Sequence, residues 1–102
     1  MLELKPNCEC CDKDLNPNST EAMICSYECT FCVTCVNTIL ENVCPNCGGG
    51  LTPRPIRPKV ARRPGVSLES KPASTKRVNT KYTFQEIKVF SSGVKGIKPE
   101  ER

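Results

Sequence analysis

Apolar side chains are sparse along this chain, and where they recur their spacing predicts two elements. In "VNTILENV", Val36, Ile39 and Leu40 stand at i, i+3 and i+4, the stripe of a short helix whose other face, with Asn37 and Glu41, meets water. Phe31 and Ile24 are the expected partners of that stripe in the core. Far downstream, "KYTFQEIKVF" gathers Tyr82, Phe84, Ile87, Val89 and Phe90. Its aromatic and β-branched residues predict a strand over 82–90. Alternation holds from Tyr82 to Phe84 and from Ile87 to Val89, and the slip at Gln85 and Glu86 reads as a bulge. A lone strand is not stable in water, so the segment is expected to pair with a sheet of its own head or with a partner.

Punctuation residues fill the space between. "DLNPNST" marks a surface loop over residues 14–20, and Gly48, Gly49 and Gly50 permit close backbone approach to neighbouring sulfur. From "LTPRPIRPKVARRPG" onward, Pro53, Pro55, Pro58 and Pro64 interrupt any helix and favour an extended, polyproline-like chain. The polar stretch 67–80 carries no aromatic residue and predicts disorder. The expected organisation is therefore a head over 1–52, a Pro/Arg-rich flexible linker over 53–81, a strand-like segment over 82–90 and a disordered end over 91–102.

Charge sharpens that division. Residues 1–52 hold two lysines against seven carboxylates, a formal charge of −5, whereas residues 53–102 hold thirteen Lys or Arg against four Glu, a formal charge of +9. A tail of that sign is expected to fold back over its own head, to serve as a spacer, or to meet an acidic partner. Arg54, Arg57, Lys59, Arg62 and Arg63 are the candidate contacts to nucleic acid or another acidic partner, with salt-sensitive affinity. No apolar run is long enough for a membrane span, and "MLELKPNCEC" lacks the pattern of a secretory signal. A cytoplasmic location is the expectation.

A head this small cannot bury enough apolar surface to offset its chain entropy without cross-links. All nine cysteines precede Leu51, and the chain contains no histidine. They run as Cys8-x2-Cys11, Cys25-x3-Cys29, Cys32-x2-Cys35 and Cys44-x2-Cys47, with Cys10 left over. In a reducing compartment such pairs point to metal rather than disulfides. Eight thiolates make two closed sites of four, the preference of structural Zn2+. Closed sites leave no open position for a reacting water, so neither metal is expected to be catalytic. With no histidine to activate a thiol, the chain is expected not to be an enzyme. Successive pairs could form two independent fingers, or alternate pairs could interleave.

The order C-x2-C, C-x3-C-x2-C-x2-C, then "CPNC" resembles a RING finger over residues 8–47, with Phe31 at that family's aromatic core position and Cys29 where many RINGs carry histidine. That resemblance implies interleaving: Cys8, Cys11, Cys32 and Cys35 on one zinc, and Cys25, Cys29, Cys44 and Cys47 on the other. "MLELKPNCECCDKDL", "ICSYECTFCVTC" and "CPNCGG" also resemble a family of short bacterial proteins, domain of unknown function 1272, over roughly residues 1–58. This second resemblance implies metal binding and names no activity. Where ubiquitin-ligase RINGs place an aliphatic residue before the second ligand and often a basic one after the last, the chain has Cys10 and three glycines, which implies the fold without the ligase surface.

The expected fold is a small metal-stabilised α+β domain with a RING-like cross-brace and a largely disordered basic tail. The expected function is that of a non-enzymatic protein-interaction module with two structural zinc ions, an unknown protein partner, and no small-molecule substrate. Nucleic-acid binding through the basic tail is the alternative.

Overall fold

The computed structural model describes residues 1–102. Its only sheet is small. β1 (Ala22–Ile24) and β2 (Thr30–Cys32) form an antiparallel hairpin, and β3 (Thr52–Pro53) pairs antiparallel on the other side of β1, in the order β2-β1-β3. Ala22 faces Cys32 and Met23 faces Phe31 across the hairpin, while Met23 faces Pro53 across the outer pair. Pro53 is tolerated there because an edge strand does not need every N–H in the ladder.

β2 runs directly into helix α1 (Val33–Cys35), which continues as a π-type turn over Val36–Leu40. Glu41 and Asn42 then take left-handed backbone angles, with φ of 51° and 60°, and stop the helix. The stripe read from the sequence is present: Val36 and Leu40 are buried, and Ile39 packs on the core from its edge. Phe31, with no exposed surface, sits at the centre with Leu15, Ala22 and Leu51. Ile24 is only half-buried, so Ala22, one pleat away, fills the place expected of it.

The segment 82–90 is not a strand. Phe84–Val94 forms a helix, α2, opened by a capping box in which the Thr83 hydroxyl accepts from the Glu86 N–H at 3.1 Å and the Glu86 carboxylate accepts from the Thr83 N–H at 2.9 Å. The phase slip at Gln85 and Glu86 is the helical period. Ile87 and Ser91, four apart, turn inward. Ile87 joins the core of the head, and the Ser91 hydroxyl donates to the Leu40 carbonyl at 2.9 Å, a second bond beside the one that this carbonyl accepts from the Val43 N–H at 3.1 Å. Phe84 and Val89 point outward.

Nor are 53–81 and 91–102 a loose linker and a frayed end. Both are tied to the head by specific bonds. Arg54, 4 % exposed, donates to the carbonyls of Lys5 and Asn16 at 2.9 and 3.0 Å, and Arg57 donates to those of Leu2 and Lys71, each at 2.7 Å. The Val78 N–H and carbonyl are both bound by the Asn7 side chain, at 3.2 and 2.8 Å. Arg77 pairs with Asp12 and Asp14, and Lys95 with Glu41. Arg102 donates to the Asn42 and Gly48 carbonyls. The physical reason is reciprocal need: a head with little regular structure leaves carbonyls unpaired, and a tail without a core of its own supplies the donors. The opposite charges of the two halves add to this, though exposed ion pairs contribute little each.

Truncating Ile87 to Ala is therefore expected to destabilise the protein by about 2–4 kcal/mol, and Thr83→Ala by about 1 kcal/mol, read from urea unfolding. An Ile87→Ala variant with an unchanged midpoint would mean that α2 does not dock.

Candidate metal centre

Four local structures present the paired cysteines. Two are matching knuckles. In Cys8–Cys11 the Asp12 N–H donates to the Cys8 carbonyl at 2.8 Å, and in Cys44–Cys47 the Gly48 N–H donates to the Cys44 carbonyl at 2.7 Å. The residue closing each knuckle has positive φ, 65° for Asp12 and 79° for Gly48, conformations that aspartate tolerates and glycine adopts freely. The third is the tip of the β1–β2 hairpin, where Glu28 at φ 66° donates to the Cys25 carbonyl and sets Cys25 beside Cys29. Cys32 and Cys35 come from the junction of β2 with α1.

These four structures meet in alternation. The Sγ atoms of Cys8, Cys11, Cys32 and Cys35 lie within 4.8 Å of one another, and so do those of Cys25, Cys44 and Cys47. Cys11 and Cys32 are 3.7 Å apart, sulfur to sulfur. Thiolates about 2.3 Å from a tetrahedral ion stand about 3.8 Å from each other, while a disulfide would need about 2.05 Å. All nine cysteines are free thiols. The donor set and its spacing fit a tetrahedral, soft-preferring cation.

Backbone N–H groups already point at the sulfurs. Cys11 donates to the Cys8 Sγ, Tyr27 to that of Cys25, and Gly49 to that of Cys47, at 3.3 to 3.5 Å. Such bonds stabilise thiolate over thiol. Burial works against them. It pushes the Cys8 thiol up to about 11 from 9.0 and raises Cys35 and Cys44 as well. Cys11 is exposed; burial still pushes it upward, but hydrogen bonds from the Lys13 N–H and neighbouring thiols outweigh that and lower it. Without a cation the buried thiols hold their protons; a divalent ion would displace them.

Cys29 stands at the margin of the second group. Its Sγ accepts from the Asn46 amide at 3.3 Å, and burial, with Cys25 and Glu9 nearby, raises its thiol. Cys10, the extra thiol, is half-buried outside the first group; burial raises it, opposed by a hydrogen bond with Cys35.

Two residues that spacing did not mark hold the groups together. Glu9 is 3 % exposed. Its carboxylate accepts from the Thr30 N–H at 2.7 Å and pairs with Lys5 at 3.1 Å, and its own N–H donates to the Thr30 carbonyl at 2.9 Å. The knuckle of the first group is thereby fastened to the strand that links both. Asn46, in the other knuckle, reaches both Glu9 and Cys29. A charged residue flanked by cysteines reads as exposed, and nothing local reveals a partner twenty-one positions on.

The basic row is divided. Arg54 and Arg57 turn inward onto carbonyls, whereas Lys59, Arg62 and Arg63 remain exposed. No helix is long and apolar enough to cross a membrane.

A family model described as Protein of unknown function (DUF1272) matches residues 1–57. An uncharacterized protein of Rhizobium meliloti (strain 1021) is 56% identical over 78 residues, 76% of this chain and 86% of the relative. An aligned stretch of that length within 102 residues must include 25–78, so the likeness continues into the tail. No solved structure matches the chain.

The protonation balance predicts opposite responses to pH. The metal-free fold, with Cys8 raised above its unfolded value of 9.0, keeps that contribution below pH 9 and loses it as pH rises towards 11. The metal-loaded fold needs thiolates and weakens as pH falls. Circular dichroism across pH 6 to 11 should show the two trends, read as the melting midpoint of the loaded protein and as the residual folded signal of the chelated one; parallel trends would rule out thiolate ligation.

Proposed function

Since the chain belongs to the family described as Protein of unknown function (DUF1272), whose matched span contains all four cysteine pairs, we propose that it is a non-enzymatic protein-interaction module built on two structural zinc ions. The observation that carries this reading is the alternation of the pairs, with Cys8 and Cys11 beside Cys32 and Cys35, and Cys25 beside Cys44 and Cys47. Cys29, bordering Cys25 and held by Asn46, completes the second set of four. That arrangement is the cross-brace of a RING-like fold. Zinc suits it because the ion prefers tetrahedral thiolate and has no redox chemistry to be controlled. When bound, each ion neutralises clustered thiolate charge and contributes on the order of 10 kcal/mol of folding free energy.

A closed four-thiolate site offers no position for substrate, and the chain lacks histidine as a general base. The metal's role is then to fix loops rather than to react. A reducing compartment such as the cytoplasm would keep the thiols available. Three exposed cations, Lys59, Arg62 and Arg63, favour an acidic partner. Nucleic acid is the weaker form of that idea: Arg54 and Arg57 are engaged with carbonyls, and no aromatic residue lies among the cations to stack on bases.

Native mass spectrometry of protein purified without added metal should find two zinc ions per chain, with Cys32→Ser and Cys44→Ser each losing one and Cys10→Ser keeping both. In Cys8→Ser/Cys11→Ser, brief iodoacetamide treatment should label Cys32 and Cys35 before Cys44 and Cys47. Early labelling of Cys25 and Cys29 instead would indicate sequential fingers, and one zinc or none in the parent would sink the closed-site reading.

A further inference from the structure

The Pro/Arg segment forms a concave surface that the zinc scaffold does not explain. After β3 the chain passes the 16–18 turn, and between them lies a cavity of about 460 Å3 lined by Asn16, Asn18, Ile56, Pro58, Lys59 and Leu68. Both walls are fixed. Arg54 ties the near wall to the opposite one through the Asn16 carbonyl at 3.0 Å, Arg57 anchors the rim to Leu2 and Lys71, and the Leu68 N–H closes the loop on the Pro58 carbonyl at 2.9 Å. Two guanidinium groups are thus spent on holding the shape. Prolines at 53, 55, 58 and 64 stiffen it further. A preformed cavity avoids the ordering cost that a loose loop would bring to binding.

The surface around it is predominantly basic and carries unpartnered apolar side chains. Residues 53–69 include five cations and one carboxylate, the exposed Glu69 beside Leu68. Lys59, Arg62 and Arg63 are exposed and none makes a salt bridge, whereas the carboxylates Asp12, Asp14, Glu21 and Glu41 of the head are each paired elsewhere. Val60 stands between Lys59 and Arg62 along the chain, with Ile56 before and Val66 after the basic run, at 55, 50 and 51 % exposure. We propose that this groove is a docking site for an acidic peptide segment of a partner protein, an apolar side chain entering beside Ile56 and Leu68 and flanking carboxylates meeting Lys59, Arg62 and Arg63.

Complementarity decides the class of partner. An excess of unpaired cations, Lys59, Arg62 and Arg63 against Glu69, calls for an anion, and the apolar side chains call for more than charge. A groove with Ile56 and Leu68 in its lining receives a side chain and its backbone. Bases would find no aromatic platform here.

The inference rests on the interaction-module reading and names the partner's chemistry. Its test is selection of a random dodecapeptide display library on the full-length, zinc-loaded chain, followed by fluorescence anisotropy of the recovered peptides. Peptides with an aliphatic or aromatic residue among Asp or Glu are expected. Their affinity should fall about tenfold or more in Ile56→Asp and in Arg62→Glu/Arg63→Glu, and fall with added salt. Zinc content should stay at that of the parent, since none of these residues approaches a cysteine pair in sequence. Recovery of no acidic peptide, or of peptides that bind both variants like the parent, overturns the groove. If peptides instead bind at α2, the groove fails and the interaction module stands; if the parent chain carries no zinc, that broader reading fails by itself. Tighter binding of a single-stranded oligonucleotide than of any peptide, lost in Arg62→Glu/Arg63→Glu, would assign the surface to nucleic acid and overturn the proposal.

Discussion

Everything in this chain depends on bringing together sulfurs that the sequence keeps apart. Cys8 and Cys11 meet Cys32 and Cys35, while Cys25 meets Cys44 and Cys47 from within and beyond the loop that the first meeting closes. Two overlapping loop closures restrict each other, so each offsets part of the chain entropy the other leaves. A head centred on Phe31 and a three-stranded sheet of two or three residues per strand has no other source of comparable stabilisation. Local structure is built to serve these meetings. Asp12, Glu28 and Gly48 accept left-handed backbone angles where a knuckle or hairpin must turn a thiol inward.

A second constraint follows from the first. Backbone devoted to presenting thiols is not devoted to pairing with itself, and the head is left with open carbonyls and an uncovered helix. The basic half supplies what is missing. Arg54 fills a buried position with a guanidinium that reaches two carbonyls, Thr80 donates to the Glu9 carbonyl at 2.7 Å, and α2 lays Ile87 and Ser91 against Leu40. Arginine suits this work because its planar fork can satisfy separated acceptors at once. Burial disfavours the charge at Arg54 and lowers its pKa, and those two carbonyl bonds compensate. Gly50 marks the same docking from the other side, since Pro99 lies 3.1 Å from where its Cβ would be, and Phe90 packs near Gly48 at ordinary contact distance.

On the reading proposed for this chain, the consequence for function is a small scaffold whose thiol chemistry is spent on shape. Each thiol group is enclosed except at one edge, at Cys11 and at Cys47. Glu9 and Asn46 tie one group to the other, so that disturbing either knuckle is felt across the head. What the scaffold holds out to solvent is uneven: an acidic face partly neutralised by its own tail, at Asp12, Asp14 and Glu41, and a basic loop whose Lys59, Arg62 and Arg63 remain unpaired.

The pairs, their count and the absence of histidine were legible in the sequence because ligand spacing is a local property, enforced by short turns that residues such as Gly48 make feasible. So was the helix at Val36–Leu40, whose apolar stripe is its own signal. Which pair meets which was not local: spacing left two arrangements open, resemblance favoured one, and the alternation became a geometric fact only when hairpin, knuckles and helix start were placed together. The tail was misread for a related reason. Its composition, polar and proline-rich, describes a chain that cannot fold alone, and the strand propensity of Val89 and Phe90 is real. Neither property knows that the Leu40 carbonyl and the apolar core of the head lie within reach of Ser91 and Ile87. The capping box of Thr83 and Glu86 and the phase slip at Gln85 and Glu86 were the local signs of the helix. Sequence by itself determined the donors, the turns and the division of charge; tertiary structure decided the partners, because burial and hydrogen-bond satisfaction are set by what arrives from elsewhere in the chain.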